Sequence, residues 1–255
     1  MKLGIIGCGA IGTDVAIAAD RMNGIETLYL FDKDLAAAQR LASKCKKAKM
    51  THSVDEFLPE VAVVFEAASQ EAVSQYGELV LAAGKDLVIM SIGSLFDERL
   101  LKRLEDTARQ RHCRIYLPSG AVCGIDGIFA ASMAQLDNVT LVTTKPPESL
   151  GIQVDKRTVI FEGNARDAVK QFPKNINVAA CLSLAGLGFD KTRVEIVADP
   201  VSTRIDHRIL AHGQFGRLRA EVENMPNPQN PKSSYMASLS AIAVLRKILD
   251  PIQIL

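Results

Sequence analysis

The 255-residue sequence predicts an α/β protein. We expect a doubly wound parallel sheet at the N-terminus and a second α/β domain whose mixed sheet is covered by helices on one face. Three observations support this prediction. Short apolar runs alternate with amphipathic segments over residues 1–118, as in parallel strands joined by helices. A glycine-rich turn directly follows the first apolar run. Beyond residue 190 three predicted strands follow one another closely, which favours a mixed sheet.

The first elements have the order strand, glycine turn, helix, strand and carboxylate, which is typical of a Rossmann dinucleotide-binding domain. Gly7 permits the tight turn, Gly9 lets the backbone approach a pyrophosphate, and Gly12 lets helix and strand pack closely. Backbone N–H groups at the start of the helix attract phosphate charge. The alternative is a turn that only packs a strand on a helix. The predicted phosphate-binding turn reads Gly7-Cys8-Gly9-Ala10-Ile11-Gly12.

Asp32 directly follows the second predicted strand, which covers residues 25–31. Its carboxylate can accept hydrogen bonds from both hydroxyls of the adenosine ribose, and it would repel a 2′-phosphate. The sequence therefore predicts NAD as the cofactor. Lys33 adds a positive charge beside Asp32 and softens this preference, so NADP stays open as a second cofactor.

Small residues follow the later strands of this domain. In a doubly wound sheet, ligands lie beyond the carboxyl ends of the strands. The sequence therefore places Ala68, Ser91 and Ala121 around the cofactor, although each loop is equally typical of an ordinary connection between strand and helix. The strands are predicted over residues 61–67, 86–91 and 114–117, and the helices over 34–47, 53–58, 70–83 and 97–111.

A flexible stretch over residues 118–124 predicts a hinge between two domains. Residues 1–118 form the expected dinucleotide-binding domain, and residues 119–232 form the expected substrate-binding and dimerisation domain. The last helix, predicted over 233–249, is strongly apolar, so we expect the segment 233–255 to pack back near the first domain. The other predicted elements are helices over 125–135, 165–171 and 175–187, and strands over 139–144, 157–161, 192–198, 204–211 and 215–222.

Charge and cysteine usage argue against several classes of function. The formal net charge is +1, so neither nucleic acid nor an acidic membrane surface is an expected partner. No window reaches the roughly 18 uncharged apolar residues that a membrane-spanning helix needs. The five cysteines are scattered without a C-x-x-C pair, which predicts reduced thiols in a cytoplasmic protein. His112 and Cys113 lack a second pair of ligands, so no metal site is expected.

A nicotinamide enzyme needs a proton acceptor and a binder for the polar groups of its substrate, and the second domain offers both. Among the four histidines, His207 lies in a polar run and is favoured over His212 as the acid–base residue. Lys232, Ser233 and Ser234 are predicted to open the last helix, where an ammonium, two hydroxyls and free N–H groups converge. Such a site suits a dicarboxylate substrate, but helix capping alone explains these residues equally well.

Taken together, these motifs resemble the L-aspartate dehydrogenase family over essentially the whole chain. The motifs that carry the resemblance are the glycine turn 7–12, Ser119–Asp126, Pro173–Ala179, Asp199-Pro200 with His207, and Asn230–Ser234. The resemblance implies NAD(P)-dependent oxidative deamination of L-aspartate to iminoaspartate, a step that feeds NAD biosynthesis. The imine hydrolyses to oxaloacetate and ammonia unless a downstream enzyme captures it.

The resemblance also implies roles for individual residues. It assigns the active-site histidine to His207 and the nicotinamide contacts to Ala121 and Asn177, and it implies a homodimer joined through the second domain. One position departs from the family pattern. Ile205 stands two residues before His207, where an asparagine is expected, so the hydrogen bonding around His207 is expected to differ.

Two other functions remain as alternatives. A reductase similar to dihydrodipicolinate reductase would share the architecture and also act on a dicarboxylate, but its paired histidines and Ser-Gly-Thr turn do not occur in the sequence. A non-catalytic NAD(H)-sensing protein would need no acid–base residue. His207 and the predicted anion site disfavour this second alternative.

Overall fold

The computed structural model describes residues 1–172 and 177–252, apart from the side chains of residues 231 and 232. The chain divides into two compact units. Unit 1 contains Met1–Pro118 together with the C-terminal segment from Ser238 onward, and unit 2 contains Ser119–Ala237. In the described part of the chain, no helix is long and apolar enough to cross a membrane.

Unit 1 is built on a six-stranded parallel sheet with the strand order β3-β2-β1-β4-β5-β6. The central strands are apolar and almost completely buried, which is typical of parallel sheets with helices on both faces. This arrangement confirms the predicted doubly wound sheet. The strands are β1 Lys2–Ile6, β2 Thr27–Phe31, β3 Ala48–Met50, β4 Val63–Glu66, β5 Asp86–Ile89 and β6 Ile115–Tyr116.

The helices of unit 1 begin at polar caps that the sequence supplies. The side chains of Asp34, Ser69 and Asp97 each accept hydrogen bonds from backbone N–H groups of the helix that follows. Ala241 and Leu245, near the C-terminus, are fully buried in the hydrophobic core of this unit. The helices are α1 Ala10–Asp20, α2 Leu35–Ala42, α3 Gln70–Ala82 and α4 Glu98–Arg111, and a short 3₁₀ helix covers Ile92–Phe96.

Two predictions for unit 1 are wrong. The predicted helix over residues 53–58 consists of bends and turns. The predicted helix over 34–47 ends at Ala42, and the chain then forms β3, which pairs with β2 at the edge of the sheet. Lysines lie within and just before β3, and lysine is common on edge strands, where it discourages pairing with other molecules.

Unit 2 contains a five-stranded mixed sheet with the order β11-β10-β7-β9-β8. Among the described strands of this sheet, β7 and β9 pair in parallel and the other neighbouring strands pair antiparallel, which confirms the prediction of a mixed sheet. The strands are β7 Leu136–Lys145, β8 Thr158–Asn164, β9 Arg193–Ala198, β10 Ile205–Gly213 and β11 Gly216–Asn224. The helices are α5 Ile125–Ala131, α6 Pro147–Leu150, α7 Ala165–Gln171 and α8 Asn177–Ala185. The predicted start of α8 at residue 175 lies outside the described residues.

The two faces of this sheet differ in burial. Alternate residues of β7, from Val139 to Lys145, are buried on one face, while the residues between them are partly exposed. Gly186, directly after α8, packs against this buried face. A Cβ at Gly186 would lie 3.5 Å from Cγ2 of Val139. We call this side of the sheet the covered face.

The segment before the last helix differs from the prediction. Residues Pro226–Asn227 (β12) and Asn230–Ser234 (β13) form a two-stranded antiparallel hairpin. The last helix, α9 Tyr235–Leu249, therefore begins at Tyr235 and not at Ser233. The Tyr235 N–H donates to the carbonyl of Met225, so the hairpin leads directly into the helix.

Candidate active site

The glycine turn of unit 1 is shaped by close backbone contacts. Gly7 has a φ of +99°, and a Cβ there would lie 2.7 Å from the backbone of Ala67 and Ala68. A Cβ on Gly12 would lie 1.9 Å from the Gly7 carbonyl oxygen. Both positions therefore exclude any residue larger than glycine.

Gly9 is glycine for a different reason. It is exposed, its backbone is extended, and a Cβ there would meet nothing within 4 Å. It caps α1 without a side-chain hydrogen bond, and the first turn of α1, which contains Ala10 and Ile11, carries no acidic residue. The open space and the N–H groups of the helix start fit a pyrophosphate.

Asp32 lies beside this turn. Its Oδ2 accepts a hydrogen bond from the Cys8 N–H at 2.7 Å, and its Oδ1 accepts one from the Asp34 N–H at 2.9 Å. These bonds fix the carboxylate at the end of β2, and each oxygen retains a second lone pair for a ribose hydroxyl. The structure thus brings Asp32 and the glycine turn together, as a dinucleotide site requires.

Glu66 connects two predicted cofactor loops, although no sequence motif points to it. It ends β4 and is 2% exposed. Its Oε1 accepts from the N–H groups of Ala68 and Ser69 at 2.8 and 3.0 Å and from the Ser91 hydroxyl at 2.9 Å. Its Oε2 accepts from the Ser91 N–H at 3.0 Å. Burial raises the pKa of Glu66, while these four hydrogen bonds act in the opposite direction.

His207 lies in unit 2, on the covered face of β10, and is 6% exposed. It pairs across the sheet with Thr143 of β7, and its Nδ1 is 2.9 Å from the Thr143 hydroxyl. Burial, together with the charge of Lys145, lowers the pKa of His207 from its usual 6.5 to about 3. No local sequence pattern predicts such a shift, because burial of the ring beside a lysine depends on segments that are distant in sequence.

Lys145 is the last residue of β7 and is 6% exposed. It follows Thr143 by two residues, so both side chains lie on the covered face with His207. Burial lowers the pKa of Lys145 from 10.5 to about 8. In sequence Lys145 is only a polar residue after a β-branched strand, and this alone does not indicate burial.

Asn224 links two predicted site residues in unit 2. It is 2% exposed and ends β11, on the same face as His207 because Val222, two residues earlier, pairs with His207. Its Nδ2 donates to the Ala121 carbonyl at 3.1 Å, and its Oδ1 accepts a hydrogen bond from the Ser234 hydroxyl. Asn224 therefore fixes the backbone at Ala121 relative to Ser234.

The other predicted site residues of unit 2 are Asn177, Lys232 and Ser233. Asn177 is exposed at the start of α8, and the side chain of Lys232 is outside the described residues. Ser233 is partly exposed and donates to the Asn230 carbonyl at 2.9 Å. The prediction that residues 232–234 form the first turn of the last helix is wrong, because they belong to β13.

Among the described residues, no group of three or more His, Cys, Asp or Glu side chains is arranged to hold a metal ion.

Two protein-family models match the chain, one in each half. A model described as homoserine dehydrogenase, NAD binding domain, matches residues 7–118. A model described as aspartate dehydrogenase, C-terminal, matches residues 126–248. The first match covers the glycine turn and Asp32, and the second covers His207, Lys145 and Asn224.

Relatives and solved structures agree with these models. The chain is 47% identical to the L-aspartate dehydrogenase of Methanosarcina barkeri, over 100% of this chain and 99% of that protein. It is 43% identical to that of Methanothermobacter thermautotrophicus, over 100% and 98%. The crystal structure of aspartate dehydrogenase from Thermotoga maritima matches with a TM-score of 0.84 and 29% identity, over 100% and 99%.

A more distant structure shares only the fold. A dihydrodipicolinate reductase from Paenisporosarcina sp. TG-14 matches with a TM-score of 0.59 and 12% identity, over 98% of this chain and 94% of that one. At this identity the likeness shows a shared fold alone.

Proposed function

The chain belongs to the L-aspartate dehydrogenase family, and we propose that His207 is the base of its reaction. The enzyme catalyses the NAD(P)-dependent oxidative deamination of L-aspartate to iminoaspartate, which water hydrolyses to oxaloacetate and ammonia. For this reaction the substrate ammonium must lose a proton before its nitrogen lone pair can assist loss of hydride from Cα.

The observation that supports this role is a buried, neutral imidazole held in one orientation. Because its pKa is lowered, the imidazole of His207 is neutral at pH 7, so one of its two ring nitrogens has a free lone pair. When Nδ1–H donates to the Thr143 hydroxyl, the lone pair lies on Nε2, which is then the atom that accepts the proton. A substrate with two carboxylates brings negative charge to the site, which raises the basicity of the imidazole.

We propose that the glycine turn 7–12 and Asp32 hold the dinucleotide, with Ala68 and Ser91 beside it. By family resemblance, Ala121 and Asn177 contact the nicotinamide, and Lys232, Ser233 and Ser234 contribute to binding the substrate. When bound, the nicotinamide accepts the hydride. The shape of the glycine turn and the fixed Asp32 carboxylate support this assignment.

Replacement of His207 tests its role directly. His207→Ala should lower kcat by on the order of 10²–10⁴-fold, with NADH binding near that of the unchanged enzyme. His212→Ala is the matched control, because His212 lies on the same strand but its side chain is 56% exposed. Activity is followed as NADH absorbance with L-aspartate and NAD. Full activity of His207→Ala would refute the proposal.

We propose that Asp32 makes NAD the preferred cofactor. The carboxylate is already oriented, and it would repel a 2′-phosphate at the same place. Asp32→Ser should therefore lower the preference for NAD, measured as kcat/KM with NAD divided by kcat/KM with NADP. An unchanged ratio would show that Asp32 does not contact the ribose.

We also propose that the enzyme is a homodimer joined through unit 2. The face of the mixed sheet opposite His207 carries partly exposed residues such as Val142 and Leu210, beside ion pairs of Arg208 and Arg219 with Glu221. Light scattering should give twice the chain mass of 27.6 kDa. A monomer at assay concentration would contradict this proposal.

The product suggests a place in metabolism. Iminoaspartate hydrolyses in water, so we propose that a downstream enzyme captures it and that the reaction feeds NAD biosynthesis. All five cysteines are free, which supports the proposal that the enzyme works in the cytoplasm, where thiols remain reduced.

A further inference from the structure

We propose that Lys145 binds a carboxylate of the substrate, as a cationic residue of the active site beside the neutral imidazole of His207. This inference rests on the proposed function, because it takes the reacting molecule to be an amino dicarboxylate. Lys145 belongs to none of the sequence motifs named above, and it is buried within unit 2.

The alternation of side chains along β7 places Lys145 in this site. Thr143 pairs with His207 across the sheet and contacts its ring, and Lys145 is the next residue of β7 on the same face. Lys145 is close enough for its charge to lower the pKa of His207. The side chains of Thr143, Lys145 and His207 are all buried on the covered face of the sheet.

The chemistry of a buried ammonium points to an anionic ligand. Burial disfavours the charged form of Lys145, which is why its pKa falls to about 8. A carboxylate placed beside it would offset the cost of desolvation and restore the charge. Because His207 accepts the proton of the substrate ammonium, the two carboxylates are the substrate groups left for Lys145 to bind.

The location of Lys145 also explains a property of His207. A neighbouring positive charge opposes protonation of the imidazole, so the base stays neutral before substrate arrives. Once a substrate carboxylate pairs with Lys145, this opposition weakens, and the imidazole can accept a proton more readily. Lys145 would thus bind the substrate and couple that binding to the basicity of His207.

The test compares Lys145→Met with Lys156→Met, which removes the same charge from an exposed position of unit 2. Lys145→Met should raise the KM for L-aspartate by on the order of 10²–10³-fold, while the Kd for NADH changes less than about twofold. Inhibition by succinate, which offers two carboxylates and no ammonium, should weaken by a similar factor. Lys145→Arg should recover part of the loss, and Lys156→Met should behave like the unchanged enzyme.

The outcomes separate this inference from the proposed function. If Lys145→Met or Lys145→Gln keeps the KM for aspartate and the inhibition by succinate, the inference is overturned, even if kcat falls. If the unchanged enzyme does not oxidise aspartate at all, the proposed function fails instead. Lys145→Gln retains a polar side chain of similar length, so the test remains available if the methionine variant does not fold.

Discussion

Glu66 shows how one buried carboxylate can hold two loops of a cofactor site. Its two oxygens accept hydrogen bonds from the loop after β4 and from the loop after β5, and all of these partners are donors. A carboxylate matches this set because both oxygens are acceptors. An amide does not, because one of its two ends can only donate.

Glu66→Gln should therefore destabilise unit 1 and weaken dinucleotide binding. If the amide oxygen faces Ala68, the amide NH₂ meets the Ser91 N–H, which is left without an acceptor. The expected loss is roughly 1–3 kcal/mol in the free energy of unfolding, with a higher Kd for NADH. Urea unfolding and NADH titration measure the two effects. Glu105→Gln, on the exposed side of α4, is the control and should change neither quantity.

At the scale of single residues, sequence predicts types of chemistry better than environments. His207 could be selected from its polar run and from the family resemblance, and Asp32 from its place after a strand. Glu66, Lys145 and Asn224 could not, because what distinguishes them is burial among particular neighbours. Burial of a charged residue depends on strands that are distant in sequence, and no local pattern records it.

At the scale of elements, the glycine turn combines two separate requirements. Gly12 is required by packing, because a Cβ would overlap the Gly7 carbonyl, whereas Gly9 faces open space. The fold therefore requires a glycine at position 12, and we expect ligand binding to require the glycine at position 9. The two positions can therefore be distinguished by experiment.

Gly9→Ala should leave the thermal stability nearly unchanged, because its backbone is extended and a methyl group meets no neighbour. It should raise the Kd for NADH on the order of tenfold, because the methyl group occupies the space of the phosphates. Gly12→Ala should instead lower stability by roughly 1–3 kcal/mol through overpacking. Calorimetry and NADH titration of both variants are the measurements. Equal loss of stability in both variants would contradict this division.

Elements were predicted well where periodicity is strong and less well where pairing is local. The apolar strands β1, β4 and β5 are evident from their sequences. The hairpin of β12 and β13 was not predicted, because Pro231 to Ser234 has the composition of a helix start and the pairing strand is only two residues long. The last helix begins at Tyr235, two residues later than predicted.

At the scale of the whole molecule, the sequence predicted both sheets because each has its own pattern. Parallel strands buried on both faces read as continuous apolar runs, and the strands of unit 2 alternate between a buried and a partly exposed face. The strand order of the mixed sheet did not follow from the sequence. The pairing of β7 with both β9 and β10 depends on contacts between distant segments.

The buried imidazole also makes the stability of the molecule depend on pH. The pKa of His207 is lowered in the folded state, so between about pH 6.5 and pH 3 the unfolded chain binds a proton that the folded chain does not. Stability contributed by this group is thus present above pH 6.5 and is lost as the pH falls towards 3. Between pH 6.5 and 5 the expected loss is roughly 1.5–2 kcal/mol.

His207→Gln should remove this part of the pH dependence. The free energy of unfolding in urea, followed by circular dichroism at pH 6.5 and pH 5, should fall less for the variant than for the unchanged protein. The raised pKa of Glu66 acts with the opposite sign, since its contribution grows as the pH falls, but it is present in both proteins and cancels in the comparison. His212→Gln, which changes an exposed imidazole on the same strand, should keep the original pH dependence. If His207→Gln loses as much stability as the unchanged protein over this range, the imidazole is not held neutral by the fold, and the basis for its role as a ready proton acceptor is lost.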